Sequence, residues 1–551
     1  MKIITFLLLA IVSISYSQSE SISTIDLSKF PKEQISVHYN NEFLVTGEKL
    51  YYKIYCFNQN HKLSNYSKIA YIELLSSENT SVLKQKIALE KGIGYGDFFI
   101  NPSLKTDTYT LICYTQWMKN YTNYFENSIV IINPFSDRIV AQSDQEIISK
   151  KNTILTTSEQ ISTDKTIYQK REKVLLNLEK IKTLQIDKFS ISVRKKDNFH
   201  LNLKNQKNAD FDKITYQNTM FLPELRGNLI KGKIESNNNK NVANKLISLS
   251  IDHSHLPLIA TTNTIGEFYF NIPNVNSQKV YIQILDTNAS DFSIKLKEDQ
   301  GIKKENDNSS PIKLTQNNIN TIKERSIYAQ IENAYYTVKE DIILPLVYND
   351  SLLNHKKTTY RLDDYKRFKT LQETFVEIIS SAKIRRIDQK QEIIVPSGDT
   401  KATGAVGNIP SLLIVDGHIV YDHDSFLNYD CSKISSISVI NQKYCYGNSI
   451  YQGITFINTF KKDYVPVSNS IQEFKIMNIQ PKKKYFFQEH NKINMQVPDY
   501  RTQLYWDPNV DSTKNEIVFY TSDVTGEFQI EIKGFTPKGD PLSFKEYFSV
   551  K

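Results

Sequence analysis

Five side chains that could carry acid–base or metal chemistry fall within nine residues of the stretch LLIVDGHIVYDHDSF, Leu412–Phe426: Asp416, His418, Asp422, His423 and Asp424. Carboxylates and imidazoles at short range are what a zinc site or a general acid–base pair needs. The spacing argues against both. Asp416 and His418 stand on opposite sides of a tight turn, and consecutive residues such as 422–424 point to alternating faces on a strand. No HExxH, CxxC or His-triad spacing supports a metal site. Asp416–Gly417 is instead a two-residue hairpin signal, because a type I′ turn needs two positive φ angles. The expectation is a solvated hairpin with polar flanks.

Other chemistry is as thinly represented. His253 and His255 would share a strand face, but no third ligand is placed beside them. The chain has no GxSxG elbow and no GxxxxGK[ST] loop. Gly92, Gly94 and Gly96 lack the strand–loop–helix setting of a phosphate or dinucleotide site and are read as a turn. Trp117 and Trp506 lie in strand-like runs and are assigned to core or interface. No catalytic, cofactor-binding or metal residue is therefore assigned, and an enzyme is not expected.

Around these residues the chain alternates in short β-rich runs. It has 551 residues, 33 Tyr and 28 Phe, which favours strands spread over several domains. The net charge of +8 comes from 68 basic and 60 acidic residues scattered along the chain. That pattern is a solvated surface rather than a nucleic-acid footprint. Residues 1–17 have Lys2, an apolar run and small residues at Ser15 and Ser17, which predicts a signal peptide and an exported chain. No later run is long enough for a membrane helix. Export permits disulfides, and Cys431 and Cys445 flank one strand-like run, so a bridge between them is open; Cys56 and Cys113 sit in apolar strands.

Three resemblances follow from quoted motifs. FLVTGEKLYYKIYCF, GDFFINPSL and YTLICYTQWM, within residues 18–138, resemble the macroglobulin-type sandwich of exported Bacteroidetes proteins. A second sandwich is expected at 139–219. Residues 220–290, with TTNTIGEFYFNIP, resemble the carboxypeptidase-regulatory or transthyretin-like β-domain. A linker and irregular segment fills 291–365. Residues 366–470 resemble the plug domain of TonB-dependent outer-membrane receptors. The matching features are the strand ending in Val-Asp-Gly, the Ile-x-x-Ile-x-Val strand, the turn at Tyr446–Gly447, and the strand from Gly453. Phe368, Leu371, Phe375 and Ile379 would form the apolar face of a helix before it. A closing sandwich is expected at 471–551.

The fold class is thus mainly β, tandem immunoglobulin-like or macroglobulin-like sandwiches with one small α+β plug-like domain. Fewer than ninety residues follow the plug-like stretch, too few for a receptor barrel. The resemblance therefore implies an outer-membrane barrel partner in trans, a transporter or a translocon such as the type 9 channel. Asp416, Gly417, His418, Tyr446, Gly447 and Gly453 would form the interface. The chain would be periplasmic or outer-membrane-associated, with no nucleic-acid partner and no cofactor. The alternative is a macroglobulin-like protein that binds a protease or another ligand. A thioester trap is not expected, because none of the cysteines stands in a Cys-Gly-Glu-Gln segment.

Overall fold

The computed structural model describes residues 30–551 apart from 122–123, 137–139, 142–159, 183, 185, 187, 198, 200–219, 276, 287, 298–300, 303–311, 346–355, 397–408, 448, 467–470, 491–495 and 512. The expected signal peptide lies outside the described residues. The protein is mainly β, and among the described residues no helix is long and apolar enough to cross a membrane.

Alternation of apolar side chains builds the first sandwich. One sheet pairs Glu33–Tyr39, Lys49–Asn58 and Ile93–Phe99. The other runs in the order Phe43–Val45, Phe125–Ile132, Asp107–Tyr114, Ile69–Leu75, Ser81–Ala88. Leu50, Tyr52, Ile54 and Cys56 point inward together, as their period of two requires, and all are fully buried. Gly94 and Gly96, read as turn residues, lie inside the strand Ile93–Phe99. A Cβ on Gly96 would come within 2.8 Å of the Tyr52 ring, so the missing side chain is what lets Tyr52 fill the core.

The second and closing sandwiches expected at 139–219 and 471–551 are one body. Lys173–Asn177 pairs with Glu516–Tyr520, and Lys188–Lys195 lies between Gln503–Asp511 and Gly526–Phe535. A single core takes Val174, Phe189 and Ile191 from the early segment and Phe519, Phe528 and Ile530 from the late one. Neither segment has enough strands to cover its own apolar face, so each closes the other.

The intervening chain forms two further units. The third packs the sheet Glu267–Ile272, Asn228–Ser236, Phe292–Leu296 against Leu258–Thr261, Leu246–Ser250, Lys279–Ile284. Ile471–Lys475 adds a fourth strand to that second sheet, from beyond the expected 220–290 boundary. The fourth unit has a five-stranded sheet ordered Thr358–Arg361, Ile434–Tyr446, Ser449–Thr459, Leu412–Val415, His418–Ile419, with Leu412–Val415 parallel to Ser449–Thr459.

The segment 291–365, expected to be irregular, contains a 19-residue helix, α1 (Gln316–Ala334). Thr315 caps it reciprocally with Asn318. Its buried face is Ile322, Arg325, Ser326 and Ala329, so no apolar stripe announces it. In the fourth unit α2 (Leu371–Glu377) buries Leu371 and Phe375 as expected, but Phe368 and Ile379, expected on the same helical face, lie outside its ends, because a Thr370–Glu373 capping box starts it and it stops at Glu377.

Candidate functional site

The Asp416 hairpin has the expected turn. Asp416 has φ 45° and Gly417 φ 83°, and Val415 pairs with His418. Its surroundings differ from the solvated loop expected of it. Asp416, His418 and His423 are all buried. The Asp416 carboxylate accepts from Thr459 N–H at 2.9 Å, Thr459 Oγ1 at 2.5 Å and Tyr464 N–H at 3.1 Å. Those donors saturate it as an acceptor, so it serves as an internal tie across the sheet.

His418 turns its ring edge to Tyr281 of the third unit at 5.1 Å. Burial pushes its pKa down to about 4 against the opposing pull of Asp416. A neutral, enclosed imidazole of this kind cannot serve as a base for a solvent-borne substrate. His423 Nδ1 lies 3.1 Å from the Ile393 amide and 2.8 Å from Glu392 Oε2, while Asp424 accepts from the Gln391 amide at 3.3 Å. These two side chains hold the hairpin strand Lys390–Ile394 against the short helix α3 (His423–Phe426). Asp422 is exposed at the start of α3. The five residues therefore do not converge, and no cluster of three metal-ligating side chains occurs among the described residues.

The hairpin does lie at an interface, and the partner is the chain itself. A Cβ on Gly417 would collide with the Asp252 carbonyl, and one on Gly447 with Ile259. Tyr446 Oη donates to the Pro257 carbonyl. Around them Leu256, Leu285, Leu412, Ile414, Ile419 and Ile440 form one apolar cluster between the third and fourth units. Gly453 sits where a Cβ would meet Val395 at 2.6 Å and Ile440 O at 2.8 Å, beside a register shift in the long hairpin. His253 and His255, expected on a strand face, lie in the turn this interface uses, with His255 Nδ1 2.6 Å from Asp252 Oδ1.

Cys431 and Cys445 are not bridged. Cys431 is buried against Thr374 Oγ1 at 3.0 Å, while Cys445 is exposed near the other end of the strand Ile434–Tyr446. Cys431 lies just before that strand, and the extended run from Ile434 to Cys445 alone covers roughly 35 Å at about 3.3 Å per residue, far beyond disulfide reach.

A cleft lined by aromatic side chains lies where no sequence motif marks it. It lies where the first sandwich, the second sandwich, α1 and the segment 485–486 meet, and encloses about 170 Å³. Tyr51, Tyr328, Tyr500 and Trp506 form aromatic walls, with Tyr51 stacked on Trp506 at 5.8 Å and Tyr328 on Tyr500 at 5.2 Å. Its carboxylates are matched by neighbouring cations. Arg325 bonds Glu48 at 2.6 Å and Asp197 at 3.0 Å, Lys49 bonds Asp341 at 2.8 Å, and Lys339 bonds Glu332 at 2.8 Å. Arg501 donates to both oxygens of Asp499, at 2.6 and 2.8 Å. Burial raises the Asp499 pKa, but Arg501, His490 and Lys339 together outweigh it and hold the carboxyl below its ordinary range. Two polar groups are left over: the buried Nε1–H of Trp506 and O–H of Tyr485 have no acceptor among the described residues. Trp506 was legible only as a core or interface residue; the site needs segments more than four hundred positions apart.

Beside this cleft is the most triad-like geometry in the molecule. His38 Nδ1 lies 2.6 Å from Ser190 Oγ, and its Nε2 lies 3.9 Å from Glu531 Oε2. Ser190 and His38 are both buried between the two sandwiches, and burial takes the His38 pKa down to about 4. A serine with no access to solvent cannot reach a substrate carbonyl, so the group acts as an interface tie.

No protein-family model and no curated protein matches this chain. Among solved structures, it is similar to Salmonella alpha-2-macroglobulin reacted with methylamine, at 7% identity and TM-score 0.24, over 94% of this chain and 39% of that one. Escherichia coli alpha-2-macroglobulin activated by porcine elastase gives 8% identity and TM-score 0.25, over 94% and 44%. Latent PorU from Porphyromonas gingivalis gives 8% identity and TM-score 0.17, over 48% and 33%. The chain spans about two fifths of the length of the macroglobulins it matches. TM-scores of this size do not establish a common fold.

Proposed function

We propose that this protein is a non-catalytic binding protein of the cell envelope, and that the cleft between its two sandwiches and α1 is its binding site. The observation that carries the reading is the composition of that cleft: aromatic walls, carboxylates already paired with cations, and two buried donors without acceptors. Such a site offers area and a few directional hydrogen bonds, which is what recognition requires. It offers no nucleophile activated by a base. Ser190 is buried against His38 and Asp416 is held by internal donors, which supports a structural role for each.

An outer-membrane barrel as partner rests on the plug-like motifs of 366–470. The surface first assigned to that partner, Asp416, Gly417, His418, Tyr446 and Gly447, is turned toward the third unit. A barrel would have to meet another face, and the sheet edge Thr358–Arg361 has a strand on one side only among the described residues.

Photo-cross-linking of the full chain in its native envelope, with the adducts identified by mass spectrometry, tests the proposal. A discrete adduct with another envelope or exported protein is the expected result. Recovery of the chain alone, at every cross-linker position around the cleft and on the Thr358–Arg361 edge, overturns it. An adduct with a barrel protein favours the gating reading, and one with a proteinase favours the macroglobulin-like alternative.

A further inference from the structure

We infer that the cleft anchors one bulky apolar side chain of an extended, uncharged segment of a partner protein, whose flanking residues lie on an apolar ridge at Tyr335–Ile343. The inference rests on the binding reading above and adds to it the chemistry of the occupant.

Size comes first. A volume of about 170 Å³ is well below the roughly 300–1,000 Å³ that encloses a whole small ligand. It is close to the ~150 Å³ that holds a benzene ring. The cleft therefore accommodates one ring-sized or leucine-sized group, and the remainder of the ligand must lie outside it.

What lies outside is apolar. Immediately after α1, Tyr335 and Tyr336 are each 41% exposed, Val338 58%, Ile342 62% and Ile343 59%. Tyr336 belongs to both the ridge and the cleft wall. Ile342–Ile343 pairs with Lys483–Lys484, whose chain runs directly into Tyr485 and Phe486 of the cleft. Among the described residues no strand covers the other edge of Ile342–Ile343. An apolar ribbon with one open edge is a template for an added extended strand.

Charge and hydrogen bonding then decide the class. The acidic side chains of the wall are all ion-paired, so a cationic ligand would have to break existing pairs. The wall amides are spent too. Asn40 binds Lys49 O and Gln503, Gln503 binds Ser192, Val193 and Tyr505, and Asn333 binds Gly47 O. Reading sugar hydroxyls needs several free amides or carboxylates, and here the Asn333 side-chain carbonyl is the one wall amide oxygen without a bond among the described residues. A peptide needs less: apolar area and an open strand edge for its backbone, which the ridge beside the cleft supplies.

The test pans the full-length chain against a phage library of random dodecapeptides and measures hits by fluorescence polarisation. Enriched peptides are expected to carry no net charge and to share one bulky apolar residue. Ile343→Asp, at an exposed position where folding is unaffected, should weaken binding at least 10-fold. Trp506→Phe keeps one aromatic ring and shrinks the wall, and should weaken binding about 5-fold when measured well below its melting transition. Val376→Asp, on the exposed face of α2, should leave binding as it is. No enrichment, a charged consensus, affinity indifferent to both cleft variants, or Trp506-dependent binding of neutral oligosaccharides instead of peptides each overturns the inference. An envelope adduct that survives Ile343→Asp would remove this inference and leave the binding function standing.

Discussion

Arg325 of α1 places Nη2 2.6 Å from Glu48 Oε2 of the first sandwich and Nη1 3.0 Å from Asp197 Oδ2 beside the second. The same guanidinium donates to the Phe43 carbonyl at 3.1 Å. One buried cation thereby joins three segments that are far apart in sequence and forms the floor of the cleft. Removing it would leave Glu48 without its counter-charge, and Asp197 with Arg194 alone at 3.6 Å, at a largely buried site.

Arg325→Leu should therefore destabilise the junction by about 3–5 kcal/mol, the usual cost of breaking a buried pair from one side. Arg325→Lys keeps the charge but loses the fork, and should recover part of that loss. Scanning calorimetry would show the first unfolding transition moving down. The replacement Arg325→Leu with Glu48→Gln should cost less than the sum of the singles, because the two share one interaction. Additive losses would mean that Arg325 and Glu48 do not act as a pair.

Legibility in the sequence followed how local each feature is. The Asp416–Gly417 turn, the inward run Leu50–Tyr52–Ile54–Cys56 and the face of α2 all depend on residues within a turn or a strand of one another. Their type and spacing place the turn, the inward run, and Leu371 and Phe375 on a helix; the ends of that helix, which leave out Phe368 and Ile379, are set by the Thr370 cap and the turn after Glu377. Helix α1 was missed because its packing face includes Arg325 and Ser326, whose burial depends on Glu48, Asp197 and other residues outside the helix. The second sandwich was split in two because Lys188–Lys195 pairs with strands more than three hundred positions away. The Asp416 hairpin was given the right turn and the wrong surroundings for the same reason. Only the third unit, through Asp252, Pro257, Ile259 and Tyr281, makes it buried.

That contact yields a second prediction. Gly417 combines φ 83° with a Cβ direction blocked by the Asp252 carbonyl. Gly417→Ala should cost at least about 2 kcal/mol through strain and a forced separation of the two units. Limited proteolysis should then cut faster between the third and fourth units. Gly301→Ala is the control, since its nearest neighbours lie at 3.4 Å or more and its backbone carries no such strain. Equal protease resistance in the two variants would show that the hairpin does not dock as tightly as this geometry requires.

Acid should loosen the same interfaces. His38 and His418 are held neutral in the fold, each with its pKa lowered to about 4 by burial, against 6.5 in the unfolded chain. As pH falls from about 6.5 to 4, the unfolded state takes up protons that the folded state refuses, so stability declines across that window. Glu531 and Asp499 behave as depressed carboxyls: their contribution is full above the unfolded carboxylate range and declines progressively as pH falls from about 4 toward their lowered folded values. His38→Gln should flatten the decline between pH 6.5 and 4, seen as melting temperatures at pH 7.5, 5.5 and 4.5. If the substituted and parent proteins lose stability in parallel, His38 is not the group responsible.

The cysteines give the sharpest check on the fourth unit. Cys445 is exposed, whereas Cys56, Cys113 and Cys431 are buried, and all four are free. Burial pushes the Cys56 and Cys113 thiols well up, and Cys431 up as well, so each reacts slowly for two reasons: little access and little thiolate. A maleimide added to the native, non-reduced protein should label one site, Cys445, and unfolding in guanidinium without reductant should expose three more. Intact-mass spectrometry counts the adducts directly. Two adducts after unfolding instead of four would reveal a bridge, and Cys431→Ser would identify whether the strand Ile434–Tyr446 takes part in it. Loss of the native Cys445 label would place the tip of the long hairpin inside an interface that this arrangement of the fourth unit leaves open.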